Sequence, residues 1–100
     1  MAGRTHGSVL KTVAGGSGVV GVSGQAKMIY AMTIISGATA SQATLRNGST
    51  GSATIYIQQT GTINQGVTFN FQEGFFFPAG CYFSDDGNET SVLISYEEFA

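Results

Sequence analysis

Gly16-x-Gly18-x-x-Gly21, within "GGSGVVG", has the glycine spacing of a dinucleotide-binding loop, and the apolar stretch "SVLKTVA" before it could pass for a strand. That chemistry needs a helix beginning inside the motif, so that its N-terminal amides face a pyrophosphate. The sequel "VGVSGQAK" holds two more glycines and β-branched valines and has no helical face. The motif also wants an acid about 20 residues later for the ribose, and no Asp or Glu precedes Glu73. The expectation is a bend between two short extended pieces, "SVLKTV" and "GVVGVS", with no nucleotide.

Other reactive side chains are few. "SDDGNET" places Asp85, Asp86, Asn88 and Glu89 within five residues, an oxygen cluster of the kind that holds Ca²⁺, but without the alternating acids and terminal Glu of an EF-hand. It reads as a solvated acidic turn, with calcium left open. His6 is the only histidine and lies beside Gly7 near the N-terminus; a catalytic base needs a rigid site and a partner to orient it. Cys81 is alone, which excludes an intramolecular disulfide and a Cys-based zinc site. It follows "FFFPAG" in an apolar strand and reads as a small buried hydrophobe, with no base nearby in sequence to activate it. No pair of acids has a recognisable glycosidase context. No catalytic residue, cofactor or metal is expected, and the chain is read as a non-enzyme.

Composition narrows the partners. The chain has 100 residues, enough for one domain, and only 10% are charged, with a net charge of −2. Nucleic-acid binding depends on many Lys and Arg contacts to phosphate, so it is not expected. The longest mostly apolar run, Met28 to Ile35, is far short of the roughly 20 residues that span a membrane, and "MAGRTHGS" lacks a signal peptide's apolar run. A soluble protein made in a reducing cytoplasm is expected, and the sequons at Asn47 and Asn88 then read as turns. Arg4, Lys11, Lys27 and Arg46 all lie in the first half, and all six acids come after Gly48. If that segregation is not chance, a basic N-terminal segment meets the acidic half of a neighbouring copy or partner.

The elements that would position these residues are strands. No window sustains helical apolar spacing, whereas period-two alternation recurs. In "KMIYAMTIIS" Met28, Tyr30, Met32 and Ile34 form one face; in "QATLRN" Ala43 and Leu45; in "SATIYIQQ" Ala53, Ile55 and Ile57; in "GVTFNF" Val67, Phe69 and Phe71. "GCYFSD" and "SVLISYEEF" supply two more strands. "NGSTG" is the strongest hairpin signal, and "DDGN" connects the last two strands. Strands every 8 to 12 or so residues, with turn signals between them, predict an antiparallel sandwich or barrel. The fold class is therefore all-β: a single antiparallel, jelly-roll-like β-sandwich over residues 27–100, preceded by an extended Gly-rich arm over residues 1–26. The arm holds eight of the fifteen glycines and is too broken to supply much core. Such an arm is ordered only where its own sheet or another chain holds it.

Surface apolar residues suggest what the domain does. In "GFFFPAG" alternation puts Phe75 and Phe77 on one face and Phe76 on the other. Phe76 is then buried in a central strand, tucked under a loop, or covered by a partner, and Tyr56, Ile29 and Ile35 raise the same question. The candidate partner interface is Val9, Leu10, Val13, Val19, Val20 and Val22 of the arm, with Tyr56 and Phe76. Tyr56 beside Gln58 and Gln59 would also suit a carbohydrate-binding module on a fibre.

The run from "KMIYAMTIISGATASQATLRNGSTGSATIYIQ" through "FNFQEGFFFPAGCYF" to "SVLISYEEF" resembles small virion proteins of tailed phages, above all the head decoration (cement) proteins. The resemblance covers roughly residues 27 to 99 and rests on pattern. It implies a compact β-sandwich without catalytic residues that reinforces a capsid lattice, with the major capsid protein or other virion subunits as partners. It further implies a homo-oligomer on the particle, located in the virion after assembly in the host cytoplasm. A tail, adaptor or fibre component is the alternative.

Overall fold

In a computed structural model, residues 4–12, 17–85 and 89–99 are described. They form eight strands and, among the described residues, no helix: β1 (Arg4–Thr12), β2 (Gly18–Val20), β3 (Lys27–Ser36), β4 (Gln42–Asn47), β5 (Thr54–Thr60), β6 (Gly66–Phe77), β7 (Cys81–Asp85) and β8 (Glu89–Phe99). Two antiparallel four-stranded sheets result, ordered β1-β8-β3-β6 and β2-β7-β4-β5. The pairs β1–β8, β2–β7, β3–β6 and β4–β5 nest inside one another, as in a long hairpin folded over on itself. Only β4–β5 is a local hairpin, closed by "GSTGSA"; every other connection passes from one sheet to the other. That holds for "DDGN" too. It connects β7 to β8, which lie in different sheets and do not pair with one another.

Both sheets feed one core. Val20, Ile29, Met32, Ile34, Ala43, Leu45, Ile57, Phe77, Cys81, Phe83, Val92, Ile94 and Tyr96 form a single buried cluster, with Phe69 and Phe71 packed against it. The N-terminal region therefore does more than trail. Val20 of β2 is fully buried, and Arg4–Thr12 aligns with β8 over nine residues.

Two irregularities reset the faces expected from alternation. In β3 the register shifts between Ile29 and Ala31, leaving Tyr30 without a register partner. Lys27 and Ile29 thus point inward before the bulge, and Met32 and Ile34 after it. Met28 and Tyr30 do not share the face of Met32 and Ile34, and Ile29 is core rather than a second-face residue. In β5 the shift falls between Ile55 and Ile57, so Ile57 is buried while Ile55 is exposed. A bulge adds one residue to a strand and swaps the two faces of its remainder.

Candidate interaction surface

The first irregularity has a counterpart across the sheet. Between the pairs Ile29–Phe75 and Ala31–Asn70, β3 has one residue, Tyr30, and β6 has four, Phe71 to Gly74. Gly74 makes this possible: its φ is +89°, and a Cβ there would strike the Met28 side chain. β6 is a sheet edge, as is β5, where Tyr56 sits at the other bulge. The two bulges bring aromatic rings together at one rim. Tyr56 lies 5.2 Å from Phe77 and 5.9 Å from Phe75, ring centre to ring centre. Phe75 is 5.6 Å from Phe77 and meets Phe71 edge-on at 6.4 Å. Phe77 is fully buried, whereas Phe75 and Tyr56 keep 39% and 37% of their surface. The rim is an aromatic anchor whose inner half is core and whose outer half is wet.

Phe76 faces the other way, as alternation requires, and is 48% exposed. Because β6 is an edge strand, it is not a central strand buried on both faces. The Phe76 ring meets Phe99 edge-on at 6.0 Å, beside Met28 in register. Further along the same sheet, Leu93 and Ile35 are exposed around the hydroxyl pair Thr33–Thr68, whose oxygens lie 2.8 Å apart.

The arm residues scatter. Val9 and Leu10 take register opposite Ile94 and Leu93 in β8. Val13 lies outside the described residues. Val19 is half-buried opposite Tyr82. Val20 has no exposed surface and belongs to the core, which removes it from any interface. Val22 is exposed, but its backbone is engaged by Lys27 and Glu98. Tyr56 and Phe76 therefore sit on separate surfaces, the rim and the outer face of one sheet. Tyr56 and Gln58 are both exposed, and both have partners within the chain. The Tyr56 ring leans on Phe75 and Phe77, its hydroxyl accepts from Asn47 Nδ2 at 3.3 Å, and the Gln58 amide donates to Thr44 Oγ1 at 3.0 Å.

The polar centre of the molecule is one that alternation alone does not reveal. Lys27 is fully buried, and its three ammonium hydrogens have three acceptors: Gln25 O at 2.6 Å, Val22 O at 2.9 Å and Glu98 Oε2 at 3.1 Å. Glu98 Oε2 in turn accepts from the Val22 amide at 2.6 Å. That amide, above all, holds the Glu98 carboxyl below its ordinary range; Lys27 adds to the effect, and burial opposes it. Gly21, the last glycine of the motif, finds its reason here. Gly21 has φ +68°, and a Cβ on it would collide with the Glu98 carboxylate and crowd Lys27 Cε and the Tyr96 hydroxyl. It is the glycine of a tight turn wrapped around an ion pair. One sequence signal could have pointed there: Lys27 opens an apolar strand at a position that faces inward.

Cys81 lies fully buried in the core, and burial pushes its thiol up to about 12, with the Lys27 charge pulling the other way. Lys27 is thus the neighbouring cation that the linear sequence hides, yet desolvation outweighs it and the thiol stays protonated. No group of three His, Cys, Asp or Glu side chains among the described residues could hold a metal ion. Residues 86–88 of the acidic turn are not among them. No protein-family model matches the chain, and a search of curated proteins finds no match.

Proposed function

We propose that this chain is a non-enzymatic structural protein of a tailed-phage particle, and within that class a capsid decoration protein that rests on the shell and reinforces it. In this reading the two sheets are the layers of a jelly-roll sandwich. The observation that carries it is the nested pairing β1–β8, β2–β7, β3–β6, β4–β5, which is the double-hairpin order of an eight-stranded jelly roll. Viral capsid and lectin domains use that architecture. A fold hosts many functions, so the weight then falls on the surface.

The surface favours attachment over chemistry. Lys27 and Glu98 neutralise one another inside, and Arg46 is engaged by Ala53 O and Ser84 Oγ. The exposed large hydrophobics include Phe75 and Tyr56 at the rim, and Phe76, Leu93 and Ile35 on the outer face. Exposed apolar groups in this number on so small a domain mark surfaces that a partner covers. Attachment through them would depend little on salt, and a lattice multiplies weak contacts into firm adhesion.

The test is co-sedimentation of the purified chain with heads of the phage that encodes it, stripped of surface proteins. Saturable binding at a fixed ratio to the major capsid protein, with heads that then rupture at a higher temperature, is the expected result. Binding to tails alone would move the protein to the adaptor or fibre class. No binding to either would sink the reading.

A further inference from the structure

β1 has one neighbour in its sheet, β8, with which it pairs from Arg4–Phe99 to Thr12–Ser91 without a register shift. The chain from β2 onward is anchored separately. β2 pairs with β7, Val20 is buried in the core, and the turn after it is fastened by Lys27 and Glu98 to the Val22 backbone. The attachment of β1 can therefore change without disturbing the chain from Gly18 onward.

Between Thr12 and Gly18 runs the sequence Val-Ala-Gly-Gly-Ser. Two of these five residues are glycine, the residue type with the smallest steric cost at either sign of φ. Six residue steps reach about 20 Å when extended. That length is the limit within which β1 must find its partner, whether its own β8 or that of a close-packed neighbour. An uncovered β8 would present the open amides and carbonyls of an edge strand, a ready template for pairing. The segment known to fit that template, over nine positions, is β1.

We propose that β1 is exchanged between copies of this chain, the Arg4–Thr12 strand of one copy completing the β1-β8-β3-β6 sheet of the next. Every β1–β8 contact of the single chain is re-formed in the exchanged state, so the balance between them is set by the linker and by local concentration. Packing copies side by side on any surface raises that concentration and favours exchange. The proposal does not depend on the particle being a phage head.

The test uses full-length chains. Ser8 and Ser95 are register partners, so Ser8→Cys chains are mixed with Ser95→Cys chains at high concentration and then oxidised; Cys81 is buried and stays out of the reaction. Exchange gives a covalent dimer of unlike chains, severalfold above a mixture of Ser8→Cys with Ser52→Cys, a turn position remote from β8. A yield equal to that control overturns the proposal, as does a Ser8→Cys/Ser95→Cys double variant that closes only within single chains at every concentration. A dimer that forms only when a foreign strand-bearing protein is added would assign the β8 edge to that protein instead.

Discussion

Lys27 and Glu98 stand opposite one another in the β3–β8 pair and meet end to end, Nζ to Oε2, at 3.1 Å with no lysine surface left exposed. One base of the first half of the sequence and one acid of the second half meet here within a single chain. Replacing Lys27 by Met leaves the carboxylate and two carbonyls without their donor. Breaking one side of a buried pair costs about 3–5 kcal/mol. Urea unfolding is expected to show a loss in that range, and a loss under about 1 kcal/mol would mean that water takes over the lysine's role.

Glu98 also sets a pH dependence. Its carboxyl is held below the ordinary value of 4.5 in the folded chain. The sign follows: stability from Glu98 is complete above pH 4.5 and drains away as pH falls through the lower folded value. Unfolding tracked from pH 7 to 2 should show this loss in the parent chain and a flatter profile in Glu98→Gln. Two parallel profiles would contradict the assignment.

Gly21 and Gly24 separate conformation from crowding. Both have positive φ, +68° and +79°, but a Cβ at Gly24 meets nothing within 4 Å, whereas at Gly21 it strikes Glu98. Gly24→Ala is expected to cost about 1 kcal/mol, the left-handed penalty alone. Gly21→Ala adds the displacement of the ion pair and should cost about twice as much or more. Equal effects in thermal unfolding would refute the close approach.

The three consecutive phenylalanines should separate in the same way. Phe77→Ala removes a core ring and is expected to cost about 3–5 kcal/mol, while Phe76→Ser, half in water, should cost about 1 kcal/mol or less. If Phe76 faces a shell, Phe76→Ser nonetheless lowers binding to stripped heads. A variant that binds as the parent does would exclude Phe76 from the interface.

Cys81 offers a clean check on the core. A thiol at about 12 carries almost no thiolate at pH 8. Alkylation should wait for unfolding, and rapid labelling of the native protein would show that the β7 end of the core is open.

Alternation was enough to locate β3 to β8, because apolar residues recur at alternate positions over at least part of each. It held best in β6, where Val67, Phe69 and Phe71 are less exposed than Thr68 and Asn70. It failed where one residue was added, at Tyr30 and Tyr56, since a bulge has no composition of its own and reverses every side chain beyond it. β1 and β2 lacked an apolar face strong enough to identify them as parts of the sheets. They are held by pairing to β8 and β7, and main-chain pairing is not written in side-chain type. The bend at the glycine motif was legible but its cause was not: Gly21 makes a close approach to Glu98, which lies 77 positions further along the sequence. Exposed aromatics were legible at Phe76 and Tyr56, but the convergence of Tyr56 with Phe75 needed both bulges.

The nested pairing also orders events in time. β4 and β5 are joined by six residues and can meet at little entropic cost. Each outer pair spans a longer stretch of chain until the one inside it has formed and brought its ends together. Folding is thus expected to run outward from the β4–β5 turn, slowly, as befits contacts so distant in sequence. Stopped-flow measurements should find that changes near residues 48–53 slow refolding, while changes along the β1–β8 seam mainly hasten unfolding. The strand that closes last is the first to come free.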